Sequence, residues 1–375
     1  MIRHRRYLLK PALLAGMATL ILAIVPTLAQ ASGDSFIGKF HTISTIVSTV
    51  PKNGDVNPYG TVVVPSSVGK LVQGDVLVSN FNNSKNLQGT GTTIVQISPS
   101  GSLTVFAHID ANDLPGACPG GVGLTTALVV LQRGWVIVGS LPTTDGTSAT
   151  AKAGCLLVID SSGDVAETFS GSPINGPWDM TALDEGNQAD LFVTNVLNGT
   201  VAANGKVVHT ATVLRIDLNV PNQGHGMPSR ESTTMIGSGF SARTDPAAVV
   251  IGPTGVGLSG STLYVADSLN NRIAAISNAD ERTSSAGTGS DVTANGFIND
   301  PLGLTIAPNG DILIVNGNNG RIVETTPGGT QIDHKFLDKT GSPPGSGCLF
   351  GVAVVADGSG VYFVDDCDNT LKLLS

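Results

Sequence analysis

Charge is scarce in this chain. Only 13 % of its 375 residues are Asp, Glu, Lys or Arg, about half the usual share. Coiled coils and long solvated helices need such residues on their outer faces, so both are excluded. Long apolar runs are nearly missing too. Apart from Ala12 to Val25, no segment is long and apolar enough to cross a bilayer, which takes about 20 residues. Recognisable catalytic signatures are also lacking. No Gly-x-Ser-x-Gly elbow occurs, and the five histidines beyond residue 31 (His41, His108, His209, His225 and His334) show no paired-ligand spacing. Gly255 to Gly260 spells Gly-x-Gly-x-x-Gly, but a strand pattern follows where a dinucleotide fold needs a helix.

What is present is hydrophobic and glycine-rich. Hydrophobic residues make up 41 %, enough to build a core and to exclude a disordered polyelectrolyte. There are 47 glycines, near one residue in eight, against about 7 % in an average chain.

The N-terminal stretch reads as an export signal. Arg3, Arg5, Arg6 and Lys10 precede the apolar run, and Ala29-Gln30-Ala31 supplies a small-x-small cleavage pattern. The expectation is a signal peptide over 1–31, cut after Ala31, and a secreted or periplasmic body over 32–375. Cleavage removes four of the 20 Lys and Arg and none of the 29 Asp and Glu, taking the formal charge from −9 to −13. A body this acidic repels nucleic acid and anionic lipid, so neither is expected as a partner, and no membrane span is expected in the mature chain.

An internal repeat organises the rest. Gly255-Val256-Gly257-Leu258, Gly303-Leu304-Thr305-Ile306 and Gly351-Val352-Ala353-Val354 start three copies whose leading glycines lie 48 residues apart. Each is followed by a strand-like run, for example Leu263-Tyr264-Val265-Ala266-Asp267. Gly60-Thr61-Val62-Val63, Gly123-Leu124-Thr125-Thr126 and Asp179-Met180-Thr181-Ala182 start three weaker copies. Short β-branched runs separated by turns such as Pro308-Asn309-Gly310-Asp311 read as antiparallel hairpins. A period of about 40–50 residues with four strands per unit indicates a β-propeller. The expected fold is all-β: six four-stranded blades. The C-terminus stops one strand short of a blade, and residues 36–50 contain an unassigned strand, which predicts closure of the last blade by the N-terminal strand.

The repeat register also pairs the cysteines. Cys118 and Cys348 each precede a blade's first strand, and Cys155 and Cys367 each enter a third strand. Adjacent antiparallel strands bring these positions to one edge, so Cys118–Cys155 and Cys348–Cys367 are the expected disulfides among three connectivities.

Leu263-Tyr264-Val265-Ala266-Asp267-Ser268-Leu269-Asn270-Asn271-Arg272-Ile273 resembles the strand-Asp-x-x-x-Asn-Arg-Ile pattern of NHL-repeat propellers. The likeness is close in blade 4, looser in blades 5 and 6, and faint earlier. It implies a propeller and little about activity. A more distant resemblance runs to the gluconolactonase and lyase propellers. The calcium-dependent members place Asn or Asp before the glycine of some first strands. Here those positions read as Tyr59, Val122, Trp178, Thr254, Leu302 and Phe350, none with a carboxylate or amide.

The last residue of each second strand is Asn80, Ser140, Asn195, Asp267, Asn316 or Asp365. Such a polar ring is a candidate ligand-binding set at the channel mouth, able to hold a hard cation such as calcium through oxygens. Alternatively, each residue accepts hydrogen bonds from the following turn and pins its hairpin, which accounts for the six-fold repetition. Asp365, Asp366 and Asp368 form an acidic turn that reads as solvated. The connections 81–93, 141–155 and 196–212 are long in blades 1 to 3 and rich in Asn, Thr, Ser and Gly, and a further insertion spans 219–253. The leading expectation is therefore a non-catalytic propeller that binds a protein or carbohydrate through those loops. The alternative is a metal-assisted hydrolase, lactonase or lyase acting in the channel.

Overall fold

The structure, a computed structural model, describes residues 34–375; the predicted signal peptide and its cleavage point lie outside the described residues. Six antiparallel sheets are arranged as six consecutive blades. Their inner strands are Val56–Val63, Leu124–Val130, Pro177–Asp184, Pro253–Ser259, Pro301–Ile306 and Leu349–Val354. The second strand of every blade is almost wholly buried, because the blades to either side cover both its faces. That burial explains the low charge: few strand positions face water. The core is thus a set of seams between blades. Trp135, Ile137 and Leu156 of blade 2, for instance, meet Met180, Leu191 and Leu214 of blade 3.

The ring closes as expected. Ile43–Ser48 pairs antiparallel with Thr370–Leu374, with Ile43 opposite Leu374 and Ser48 opposite Thr370. The segment before it is not strand. Ile37–Lys39 forms a 3-10 turn, held by Glu324, whose carboxylate accepts the backbone N–H groups of Phe36 and Ile37 at 2.7 and 2.9 Å. Both predicted disulfides are present, with Cα separations of 5.2 Å for Cys118–Cys155 and 4.9 Å for Cys348–Cys367.

Two blades depart from the expected pattern. In five blades two residues lie between the paired ends of the inner-strand bulge, as Tyr59 and Gly60 do between Pro58 and Thr61. Blade 2 has three, Thr125 to Ala127, between Leu124 and Leu128. The extra residue shifts the register, so Gly123 is not the counterpart of the other leading glycines. Val122 is buried in a core seam, and Thr125 takes the place expected for it. Blade 3 has five strands instead of four. Its outer strand, Ser229–Asp245, is 17 residues long and turns back through Val249–Ile251.

Glycine at the inner-strand bulge has a steric cause. A Cβ on Gly351 would fall inside van der Waals contact of the Tyr59 carbonyl oxygen, where blade 6 meets blade 1. Gly351→Ala is therefore expected to cost about 3 kcal/mol. Gly310→Ala, in a turn at φ +88° with open space around it, should cost about 1 kcal/mol. Denaturant midpoints compare the two, and equal losses would refute crowding at the axis.

Candidate functional site

Residues at the inner-strand bulges surround a cavity of about 660 Å³ on the ring axis. Its wall is aromatic on one side. Tyr59 stacks on Phe350 and on Phe81 with ring centroids 4.1 and 4.6 Å apart, and Trp178 meets Tyr59 and Phe81 edge-on at 6.0 and 5.6 Å. Tyr59, Trp178 and Phe350 occupy the positions just before the leading residue of blades 1, 3 and 6. A calcium ion held there would need oxygen donors; these three positions supply a phenyl ring, an indole and a phenol packed on one another. Oxygen donors at this cavity come from other positions.

Four acids and one base border the same cavity: Asp179, Asp245, Asp300, Asp366 and Arg243. Arg243 and Asp245 pair at 2.6 Å. No ion pair reaches Asp179, Asp300 or Asp366 among the described residues. Burial pushes the Asp179 carboxyl up to about 8. Burial, with a smaller contribution from the Asp365 carboxylate, pushes Asp366 up to about 7. Burial and then the nearby Asp245 push Asp300 up to about 6. At neutral pH one site therefore holds a protonated carboxyl and two groups near their titration points. Opposed protonation states in a single cleft are the usual requirement for acid–base chemistry.

Local structure explains how each acid gets there. Asp179 stands where blades 1, 4, 5 and 6 have Gly60, Gly255, Gly303 and Gly351, so its side chain enters the axial space those glycines leave clear. The bulge frees its N–H, which donates to Thr194 Oγ1 at 2.9 Å, while that hydroxyl donates to the Thr254 carbonyl at 3.0 Å. Ser79 repeats the bridge in blade 1, between the Gly60 N–H and the Thr125 carbonyl. Asp179 also borders a second axial space of about 250 Å³, as do Thr126 and Gly303. It stands between the two. Asp300 precedes the inner strand of blade 5 at φ +55°, its N–H donating to Asn271 Oδ1 at 2.8 Å. Asp366 follows the second strand of blade 6.

Backbone strain gathers at this rim. Asn57, Asn271 and Asp300 border the cavity at positive φ, and Val249 beside it sits at φ +61°. A β-branched residue there is a genuine outlier, and such strain persists where packing over-determines it, often at functional sites. Val249 is fully buried against the aromatic wall. The hairpin that contains it carries Arg243, Asp245, Ala247 and Ala248 to the cavity, so the insertion 219–253 reaches the ring axis as well as forming the outer edge of blade 3.

The expected ring residues lie elsewhere. Asn80, Ser140, Asn195, Asp267, Asn316 and Asp365 are at most 1 % exposed, and none borders either axial space. Asn80 donates to the Thr49 carbonyl, Ser140 to the Gly121 carbonyl and Asn316 to the Phe297 carbonyl. Asn195 accepts the N–H groups of Asn175 and Gly176. Asp267 accepts from Asn270 and Arg272, and Asp365 from Cys367 and Lys372. Each ties the end of its second strand to the following turn and third strand or to the segment that leads into the blade. The acidic turn divides: Asp365 and Asp368 share Lys372, both at 2.7 Å, whereas Asp366 borders the cavity. Among the described residues the one group of three or more close-set ligand atoms is Asp338, Cys348, Asp365 and Cys367, and both its cysteines are spent on a disulfide.

The long loops of blades 1 to 3 brace the hairpin and one another. The Thr143 N–H donates to the Gly89 carbonyl at 2.9 Å, Gln88 donates to the Pro246 carbonyl at 3.2 Å, and the Gly205 N–H donates to Thr244 Oγ1 at 2.9 Å. None of the five histidines borders the cavity. Asp179 was legible in the sequence as the one aligned copy that starts with Asp instead of Gly. Asp300 carried no such signal, because only the loop preceding blade 5 brings it to the axis.

No protein-family model matches the chain, and no curated protein matches its sequence. Solved structures do match. A gluconolactonase of Xanthomonas campestris is 12 % identical, with 88 % of each chain covered and a TM-score of 0.52. Regucalcin, a calcium-binding protein of Agrobacterium tumefaciens, is 13 % identical over 90 % of this chain and 94 % of its own, with a TM-score of 0.53. A luciferin-regenerating enzyme is 13 % identical over 88 % and 94 %, also at 0.53. At such identities the likeness is one of fold, and the chain shares with these proteins the architecture of the six-bladed propeller.

Proposed function

We propose that this chain is an exported hydrolase or lyase acting at the mouth of its central channel, with Asp179, Asp300 and Asp366 as the acid–base groups. One observation carries the reading: three carboxyls without a cationic partner, raised to different degrees, border a single aromatic-walled cavity. Asp179, protonated at neutral pH, donates a proton to the leaving group or to a developing oxyanion. Asp366, near its titration point, accepts one from water or from a substrate carbon. The aromatic wall takes the apolar part of the substrate and keeps bulk water from it. The two disulfides suit an oxidising compartment, and no described helix is long and apolar enough to cross a membrane. The NHL likeness of blades 4 to 6 is one of sequence pattern and assigns no chemistry.

This reading departs from the calcium-dependent relatives in fold, because no step runs through a cation. The test is turnover of a panel of lactones and aryl esters after exhaustive dialysis against EDTA. The expected result is activity that survives chelation, with a pH profile whose limbs fall between about 6 and 8. Loss on chelation and recovery with calcium would reverse the cation-free reading. A panel without turnover would remove the enzyme reading. The loops 81–93, 141–155 and 196–212 would then stand as the face for a protein or carbohydrate partner.

A further inference from the structure

We infer that the axial cavity takes an organic cation, a substituted ammonium group on a small apolar body, seated between Asp300 and Asp366 with its alkyl face on the aromatic wall. The inference rests on the cavity being the substrate site and names the class of substrate it admits.

The charge balance comes first. Of the ionisable side chains at the cavity among the described residues, the one base is Arg243, and Asp245 already neutralises it at 2.6 Å. Asp179, Asp300 and Asp366 have no counter-ion within ion-pair distance among the described residues. Any charge a ligand brings is favoured only if it is positive.

A separate observation points the same way. Among the described residues no other side chain at the rim offsets the acids: Asn57, Asn271 and Asn299 border the cavity as uncharged amides. The wall then selects the kind of cation. Phe350 and Trp178 border the cavity with π-density, which attracts ammonium groups at close range, more so when they are desolvated, while both faces of Tyr59 are covered by Phe81 and Phe350. A metal ion needs its ligand atoms gathered closely around it, and these three acids do not belong to any close-set ligand group. A substituted ammonium spreads its charge over a larger radius and tolerates acids set apart around about 660 Å³, a size suited to a small molecule.

Titration calorimetry at about pH 8.5 tests this with choline, benzyltrimethylammonium and the neutral choline isostere 3,3-dimethylbutan-1-ol on the full chain. The cations are expected to bind at least about tenfold more tightly than the isostere, and Asp366→Asn to weaken the cations at least about tenfold while leaving the isostere unchanged. Asp300→Asn serves as a second variant should Asp366→Asn fold poorly. Equal binding of cation and isostere would overturn the inference, as would stoichiometric displacement of the cations by calcium. Its failure is separable from that of the enzyme reading: equal binding of cation and isostere, together with turnover that Asp179→Asn abolishes, would keep the cavity as the active site while removing the cationic preference.

Discussion

Asp179→Asn is expected to lower kcat/KM by about 100-fold or more on any substrate the chain turns over, since general acid catalysis contributes about 10²–10⁴-fold. The same substitution should make the protein more stable at alkaline pH. The folded-state value of Asp179 is raised to about 8 from an ordinary 3.8. The folded chain therefore binds a proton that the unfolded chain has released between those values. Stability from this group is present below about pH 4 and is lost as pH rises through 8. An amide of the same shape carries no charge to bury, so the variant should gain about 1–3 kcal/mol at pH 8.5 and nothing near pH 4. Thermal melts at the two pH values decide it. A variant that loses activity and is destabilised at both would mark Asp179 as a packing residue. The opposition of stability and function is what a carboxyl held in a desolvated channel predicts.

Glu324→Ala is expected to be the most destabilising change away from the site. Glu324 is fully buried, and its two oxygens receive the N–H groups of Phe36 and Ile37 and the hydroxyl of Ser35, the last at 2.6 Å. Phe36, Ile37 and Phe40 are thereby laid into the seam of blades 5 and 6, beside Leu313, Phe363 and Leu374. Hydrogen bonds to a buried carboxylate are each worth about 1.5–3 kcal/mol, and orphaned N–H groups add their desolvation cost. A loss of about 4 kcal/mol follows, a large part of an ordinary domain's stability. Hydrogen exchange should show the amides of residues 36–48 losing protection first, because the closing strand hangs on this latch. Unchanged protection there, with an unchanged denaturant midpoint, would show that the strand pairing alone closes the ring. Asp311, pushed up to about 6 by its own burial and by Glu324, should move back toward the ordinary carboxylate range in the variant.

The repeat was open to reading because each blade solves one local problem the same way. Gly303 and Gly351 recur where a side chain would strike the neighbouring inner strand, and the 48-residue spacing of blades 4 to 6 records that constraint. The cysteine pairs followed, since antiparallel register is a local property. Blade 2 shows where this stops. The glycine at 123 looks like its counterparts, yet one additional residue in the bulge shifts the register and brings Thr126 to the axis, and no local signal distinguishes a two-residue bulge from a three-residue one. The polar residues that end the second strands repeat for a similar local reason, and each holds a strand end, with Oδ1 of Asn80 and of Asn316 left without a partner among the described residues.

The candidate site escaped sequence reasoning because it does not repeat. Asp179 belongs to blade 3, Asp300 to the loop before blade 5, Asp366 to a turn of blade 6, and Arg243 with Asp245 to a hairpin inserted in blade 3. Their separations along the chain are unrelated to the period. Read alone, the sequence determined the number of blades, the closing strand, both disulfides and the acidic character of the body, all consequences of local pattern and composition. Tertiary structure alone decided which acids meet on the axis and which pair with lysine at the edge. Closing the ring places residues from distant blades around one enclosed space. The raised carboxyl values arise there from burial, a property no segment of the chain possesses until the ring is complete.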